Sequence, residues 1–377
     1  MRSQHLSSKE NVLFAPQGAR QFCAFPCSER NPERNSRVAN GHNESVFAAI
    51  DIGSHTIRLI IAACKEKATL QPLCLERRVT RLARGFRGHS VLDQESMRTS
   101  LQVLQEYAAL VQQHRVAAIA CGATGVVRRA SNGADFLAEI ARETTINGSI
   151  LSEEREAMLS VKGILSGLAR RPGLMLAFDL GGSSTEFILV DPTQPQPAWA
   201  TSVFLGAATL TEAFLNRDAP GREALEQASA AARHALQPTV ERVAEHLRRG
   251  GGSVDQLDVV GTAGTVTTLA AMHLQMEVYR PYRINGTSLN SAWVSDTIET
   301  LAGLPIARRQ NIPGLEKGRE DIILGGTVIV REILRGLRQD SLTVTDAGLL
   351  EGLLLDGIED HYGWPHTLKT PLTWLWQ

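Results

Sequence analysis

Ala48-Ala49-Ile50-Asp51-Ile52-Gly53-Ser54-His55-Thr56-Ile57-Arg58-Leu59-Ile60-Ile61-Ala62 is echoed, a whole domain's length further along the chain, by Ala177-Phe178-Asp179-Leu180-Gly181-Gly182-Ser183-Ser184-Thr185-Glu186-Phe187-Ile188-Leu189-Val190. Each stretch reads as two apolar strands joined by a tight turn that combines an acid, glycine and hydroxyls. Glycine lets the backbone approach an anion closely. Backbone N–H groups and Ser/Thr hydroxyls at such turns can cradle phosphate oxygens. An aspartate at the strand end would repel phosphate, so Asp51 and Asp179 are expected to hold a divalent cation or its waters. One unit alone reads as an ordinary hairpin with an Asp-Gly type of turn. Two units favour a phosphate clamp closing from both sides, built from Gly53, Ser54 and Thr56 on one side and Gly181, Gly182, Ser183, Ser184 and Thr185 on the other.

Outward from these hairpins, short apolar runs alternate with longer helical patterns, which predicts an α/β fold. Strands are expected at 46–51, 57–62, 116–120, 174–179, 187–190 and 257–260. Helices are expected at 96–114, 322–335 and 347–355, and over 222–249, where Pro238 should break or kink the helix. A third glycine–hydroxyl element, Val259-Val260-Gly261-Thr262-Ala263-Gly264-Thr265, follows a strand and opens a helix. That context suits anion binding by Gly264 and Thr265, and the absence of a Walker A lysine disfavours a P-loop NTPase.

Composition narrows the classes. The 377 residues are 43% apolar, with 39 basic and 40 acidic residues for a net charge of −1. Wholesale disorder and a globally basic nucleic-acid binder are excluded, while a local anion site is permitted. No apolar run reaches the roughly 18–20 residues of a membrane span, and Arg2, His5, Lys9 and Glu10 interrupt any leader-like stretch. A soluble cytoplasmic protein with no DNA or membrane partner is expected. The five cysteines, at irregular spacing, read as unpaired thiols. Residues 1–45 show no sustained period and read as a flexible extension, or as sequence ahead of the true start. Trp364, Trp374 and Trp376 crowd a short tail, which is expected to dock its rings on the domain surface.

The two hairpins, the strand–Gly-Thr-Ala-Gly-Thr–helix element and their order resemble the actin/hexokinase/Hsp70-like type of fold. More closely, they resemble the exopolyphosphatase/guanosine pentaphosphate phosphatase (Ppx/GppA) family. Arg81-Leu82-Ala83-Arg84-Gly85, Ala123-Thr124-Gly125-Val126-Val127-Arg128-Arg129-Ala130 and Ile150-Leu151-Ser152-Glu153-Glu154-Arg155-Glu156-Ala157 are similar to family segments. So are Pro313-Gly314-Leu315-Glu316-Lys317-Gly318-Arg319-Glu320-Asp321 and Asp346-Ala347-Gly348-Leu349-Leu350-Glu351-Gly352. The resemblance implies duplicated RNase-H-like domains with an interdomain cleft. The first domain is expected at 46–165, completed by a C-terminal helix at 347–360. The second is expected at 166–346, followed by a tail at 361–377. The chain looks like the short form, without the helical module of longer members.

The resemblance further implies a phosphohydrolase that depends on Mg2+ or Mn2+, with a monovalent cation as a further candidate. It would release the terminal phosphate of inorganic polyphosphate or guanosine pentaphosphate. A homodimer is the assembly it suggests. Glu156 takes the position of the water-activating glutamate, and Glu186 that of a second essential acid. Arg58 and Arg319 are placed near the phosphates or the base, with Arg128 a weaker candidate. Glu153 and Glu154 read instead as first-turn acids behind a Ser152 N-cap. The chain departs from the family pattern at Glu153, Arg155, Ser183, Asn285 and Leu350. Two other readings stay open: an ATP-dependent small-molecule kinase of the same superfamily, and a non-catalytic sensor of guanosine penta- or tetraphosphate.

Overall fold

The computed structural model describes residues 44–375 except 66–68, 85, 87–89, 169–172, 192–193, 195, 251–252, 254–255, 367 and 369–372. Nearly all of the N-terminal extension, with Cys23 and Cys27, lies outside the described residues, as do Gly85, Pro371 and Trp376. The first half runs β1 (Ser45–Ile52), β2 (Thr56–Lys65), β3 (Thr69–Val79), α1 (Gln94–Gln113), β4 (Ala118–Ala123), α2 (Gly125–Arg129), α3 (Gly133–Glu143), β5 (Gly148–Ile150) and α4 (Glu153–Gly167). Then follow β6 (Met175–Leu180), β7 (Thr185–Val190), β8 (Trp199–Val203), α5 (Ala207–Phe214), α6 (Arg222–Gly250), β9 (Asp258–Thr262) and α7 (Ala263–His273). The remainder is α8 (Pro281–Ile284), β10 (Thr287–Asn290), α9 (Ser291–Ala302), α10 (Ile306–Arg309), α11 (Ile323–Gly336), β11 (Ser341–Val344), α12 (Leu349–Tyr362) and β12 (Thr373–Trp374).

These strands form two sheets, ordered β12-β3-β2-β1-β4-β5 and β10-β11-β9-β6-β7-β8. The duplication shows in the pairing. In the first sheet β1 is antiparallel to β2 and parallel to β4, and β2 is antiparallel to β3. In the second, β6 is antiparallel to β7 and parallel to β9, and β7 is antiparallel to β8. Both halves therefore carry the strand arrangement of an RNase-H-like domain.

Strand periodicity of two assigns each side chain to a layer. Ala48, Ile50 and Ile52 of β1 face Leu104 and Tyr107 of α1 and Phe136 and Ile140 of α3. Phe47 and Ala49 face the opposite way, onto Leu353, Leu354 and Ile358 of α12. In β6, Leu176, Phe178 and Leu180 pack toward α6, α7 and α11. Met175 and Ala177 meet Ala157, Val161 and Ile164 of α4. Helices α4 and α12 thus lie between the two sheets, α12 on the first and α4 reaching the second. Their contact is backbone to backbone. A Cβ at Gly163 would sit 1.8 Å from the Gly348 carbonyl oxygen, and one at Gly352 would sit 1.8 Å from that of Leu159.

Three local expectations change. Helix α6 is continuous through Pro238, which stands on the exposed side, where the missing N–H and the ring cost least. Strand β3 was masked in the sequence by Pro72. A register shift between Ile61 and Ala62 accommodates it, as a bulge does. Cys74, expected as a free thiol, is disulfide-bonded, whereas Cys64 and Cys121 are free. Near the C-terminus Trp364 stacks on Tyr362 at 5.0 Å, and Trp374 Nε1 donates to Ser166 Oγ at 3.0 Å. Among the described residues, no helix is long and apolar enough to cross a membrane.

Candidate active site

Equivalent turns close the two hairpins. Gly53 N donates to Thr56 O and Gly181 N to Ser184 O, each at 3.0 Å. The first turn is anchored from outside, since Val126 N donates to Ser54 Oγ at 3.2 Å and Ala83 N to Ser54 O at 2.8 Å. The second is anchored by the start of α5. Ala207 N donates to Gly181 O at 3.0 Å, and Ala208 N to Gly182 O at 2.8 Å. Thr185 Oγ1 is fully buried and donates to Leu205 O at 2.5 Å, so it holds the turn in place. Gly182 and Ser183 stand exposed at the tip. Ser183, where the family usually has glycine, keeps its backbone out of the left-handed region, so the side chain is accommodated without strain there.

The duplicated strand positions differ in one decisive respect. Asp51 lies directly across from Arg58, while Asp179 lies directly across from Glu186. Arg58 donates to Asp51 Oδ2 from Nε at 3.2 Å and from Nη2 at 3.0 Å. Asp51 Oδ1 is buried and has no hydrogen-bond partner. Glu186 Oε1 accepts from Ser184 Oγ at 2.7 Å and from Ser202 Oγ at 2.9 Å. Burial, and then the neighbouring Glu186 charge, push Asp179 up to about 7; Arg58 opposes, and Asp51 and Glu156 add to the rise. The two hairpins therefore converge electrostatically, with more carboxylates than cations between them.

Glu156, in the first turn of α4, joins this group. Ser152 caps the helix, its Oγ accepting from Arg155 N at 3.2 Å. Arg128 Nη1 donates to Glu156 Oε2 at 2.6 Å and to Leu151 O at 2.9 Å. Burial raises the Glu156 pKa, Arg128 restrains it, and Asp51 and Glu186 raise it further. Arg155, where the family usually has a glutamate, pairs with Asp356 of α12 instead. Glu153 is exposed at the helix start.

Four residues enter that sequence reasoning did not single out. Glu351 of α12 accepts from Gly348 N at 2.7 Å; burial raises it to about 7, with Arg58 opposing and Asp346 adding. Asp346 Oδ1 accepts from Tyr279 OH at 2.8 Å, and Asp346 N donates to Asn285 Oδ1 at 2.7 Å. Asn285, another departure, thus braces this loop. Leu350 is buried in the α12 layer. On the other flank, Arg77 of β3 donates to Glu316 Oε1 at 2.8 Å, and Arg319 pairs with the other oxygen of Glu316. The Arg319 guanidinium lies against Gly264, where a Cβ would be 1.9 Å from Nη2. Thr265 is buried, with its methyl under Gly326 of α11. Asp346, Glu351 and Glu316 lie inside motifs noted in the sequence, but no local pattern marks them as facing the hairpins.

The carboxylates are of the type a hard divalent cation takes, although no three of them bring ligand atoms within 4.8 Å of one another; among the described residues Asp356, Glu359 and His366 do. Asp51 Oδ1 is a buried orphan, and Asp179 and Glu186 crowd like charges that a cation would relieve.

A model of the Ppx/GppA phosphatase family matches residues 60–361. The chain is 30% identical over 320 residues to "Exopolyphosphatase 2" of Mycobacterium tuberculosis, covering 82% of this chain and 97% of that protein. It is 27% identical over 326 residues to the "Bifunctional 3-dehydroquinate synthase/phosphatase" of Fusobacterium nucleatum. That match covers 84% of this chain but only 47% of the relative, so the chain spans about half its length. The solved Ppx/GppA enzyme of Aquifex aeolicus superposes with a TM-score of 0.69 at 27% identity, covering 82% of this chain and 99% of that one. With a family model spanning residues 60–361 and 30% identity over 97% of a relative, the chain belongs to the Ppx/GppA phosphatase family.

Proposed function

We propose that this protein hydrolyses the terminal phosphoanhydride bond of a linear polyanion, inorganic polyphosphate or guanosine pentaphosphate, in the cleft between the two hairpin turns. The observation that carries this reading is the asymmetry of the duplicated site. One hairpin presents Arg58 opposite its aspartate and the other presents Glu186, so a single cleft offers both anion binding and a cation-holding acid face. Asp51, Asp179 and Glu186 would hold Mg2+ or Mn2+, which when bound would neutralise charge on the phosphate oxygens. The chain's own groups then divide the remaining work. The turns at 53–56 and 181–185 position the terminal phosphate, and Arg58 balances the charge of Asp51 beside it.

Glu156 orients water and accepts its proton as the water oxygen bonds to the terminal phosphorus and the bridging P–O bond breaks. Burial raises its pKa and so makes it a better proton acceptor, while the Arg128 hydrogen bond opposes that rise and favours the ionised form. A direct test compares kcat/KM for tripolyphosphate, long-chain polyphosphate and guanosine pentaphosphate, with Mg2+ and with EDTA. Turnover of at least one substrate that needs Mg2+ is expected. Negligible turnover of all three would refute the proposal.

A further inference from the structure

A charged row crosses the cleft-facing side of the first sheet. Asp51, Arg58 and Arg77 are direct cross-strand neighbours on β1, β2 and β3. Like charges placed directly opposite destabilise a sheet, yet Arg58 and Arg77 stand side by side. Asp51 answers Arg58 from the same sheet. The acid that answers Arg77 comes from the other half of the molecule: Glu316, at 2.8 Å. Arg319 takes the second Glu316 oxygen through its Nε, and Thr268 Oγ1 approaches that oxygen at 3.5 Å.

One anionic group is therefore gripped by two guanidinium groups from opposite sides. This arrangement is also how arginines recognise a phosphate. Burial alone would raise Glu316, but Arg319 and Arg77 hold it below the usual carboxylate range. Desolvation, then Arg319, Arg81 and Arg77, lower the neighbouring His55. The cluster is thus cation-rich, with Glu316 its counter-charge. Arg319 is fixed in place because its guanidinium occupies the space a side chain at residue 264 would need.

We infer that Arg77 joins Arg319, which the family resemblance already places near the phosphates, in a second phosphate subsite beyond Arg58, and that Glu316 is an internal anion filling it until the substrate's phosphate chain displaces it. The inference rests on the phosphoanhydride reading above and adds two residues to it. A chain bound across the row would place its terminal phosphate at the hairpin turns and a more distant phosphate between Arg77 and Arg319. Glu316 then competes with substrate, so its removal should tighten binding.

The test titrates tripolyphosphate and inorganic orthophosphate into the full-length protein, Arg77→Gln and Glu316→Gln, with EDTA present to prevent turnover. Arg77→Gln should weaken tripolyphosphate by about tenfold, the loss of one charge-assisted contact, and leave orthophosphate within about twofold. Glu316→Gln should tighten tripolyphosphate by about threefold or more, a direction that poor folding cannot produce. Arg77→Lys should recover part of the loss. If Glu316→Gln weakens binding as Arg77→Gln does, the triad is only a strut between the halves and the inference is wrong. Unchanged binding in both variants, with a wild type that hydrolyses polyphosphate, overturns the inference alone. A wild type that neither binds nor hydrolyses polyphosphate removes the functional reading with it.

Discussion

Arg128 and Glu156 form the contact through which a single residue can most clearly be seen to tune the chemistry. The guanidinium lies 2.6 Å from the carboxylate and opposes the rise that burial imposes. Arg128→Gln removes that restraint, so the Glu156 pKa should climb. Under the proposed mechanism Glu156 acts ionised, so the acidic limb of the kcat/KM profile should move to higher pH. A profile that does not move would detach Arg128 from the base. At this scale the sequence was readable where chemistry is local. Asp51 and Asp179 sit at the ends of their strands beside the turns, where the repeat marks them, while Glu186 was singled out by the family resemblance. Arg77 and Glu316 are far apart in the chain and meet only because the two halves fold against each other, so no spacing rule could pair them. Thr185 and Thr265 carry the expected hydroxyls, but both are buried, and Thr185 spends its bond on Leu205.

Helices α4 and α12 connect the site to the core. Helix α4 carries Glu156 and α12 carries Glu351, and their crossing is so close that only hydrogen fits at Gly163 and Gly352. Gly352→Ala would drive a methyl into the Leu159 carbonyl. It should destabilise the protein by about 3 kcal/mol or more, read as a lower midpoint in urea with little change in slope. A neutral result would mean that the helices separate freely. The sequence pattern found most of the strands that bury apolar faces, including both central hairpins. It missed β3, where Pro72 sits at a bulge, and β8, which is half exposed along its length. It also foresaw a break or a kink at Pro238; the helix is not broken there, and Leu236, Thr239 and Val243 are buried on its inner side.

For the whole molecule, the acid-rich cleft links stability to pH and to cations. Asp179 has a folded pKa of about 7, above its ordinary value near 3.8, so the folded state binds this proton more tightly than the unfolded state does. Its contribution therefore falls as pH rises between those values, and the cost of ionisation is fully present above about 7. A divalent cation held by the ionised carboxylates should offset that cost. Mg2+ should raise the thermal midpoint more at pH 8 than at pH 5, and Asp179→Asn should flatten the difference; equal gains at both pH values would place the cation elsewhere. The overall charge near neutrality conceals this arrangement, because acids and arginines are interleaved within the same region, as in Asp51 with Arg58, Glu156 with Arg128 and Glu316 with Arg77. The most direct test of the account is phosphate release from polyphosphate, with Mg2+ present, by the wild type and by Glu156→Gln at matched folded concentration. The account predicts that kcat falls at least about a hundredfold in the variant while tripolyphosphate still binds, and an unchanged kcat would contradict it.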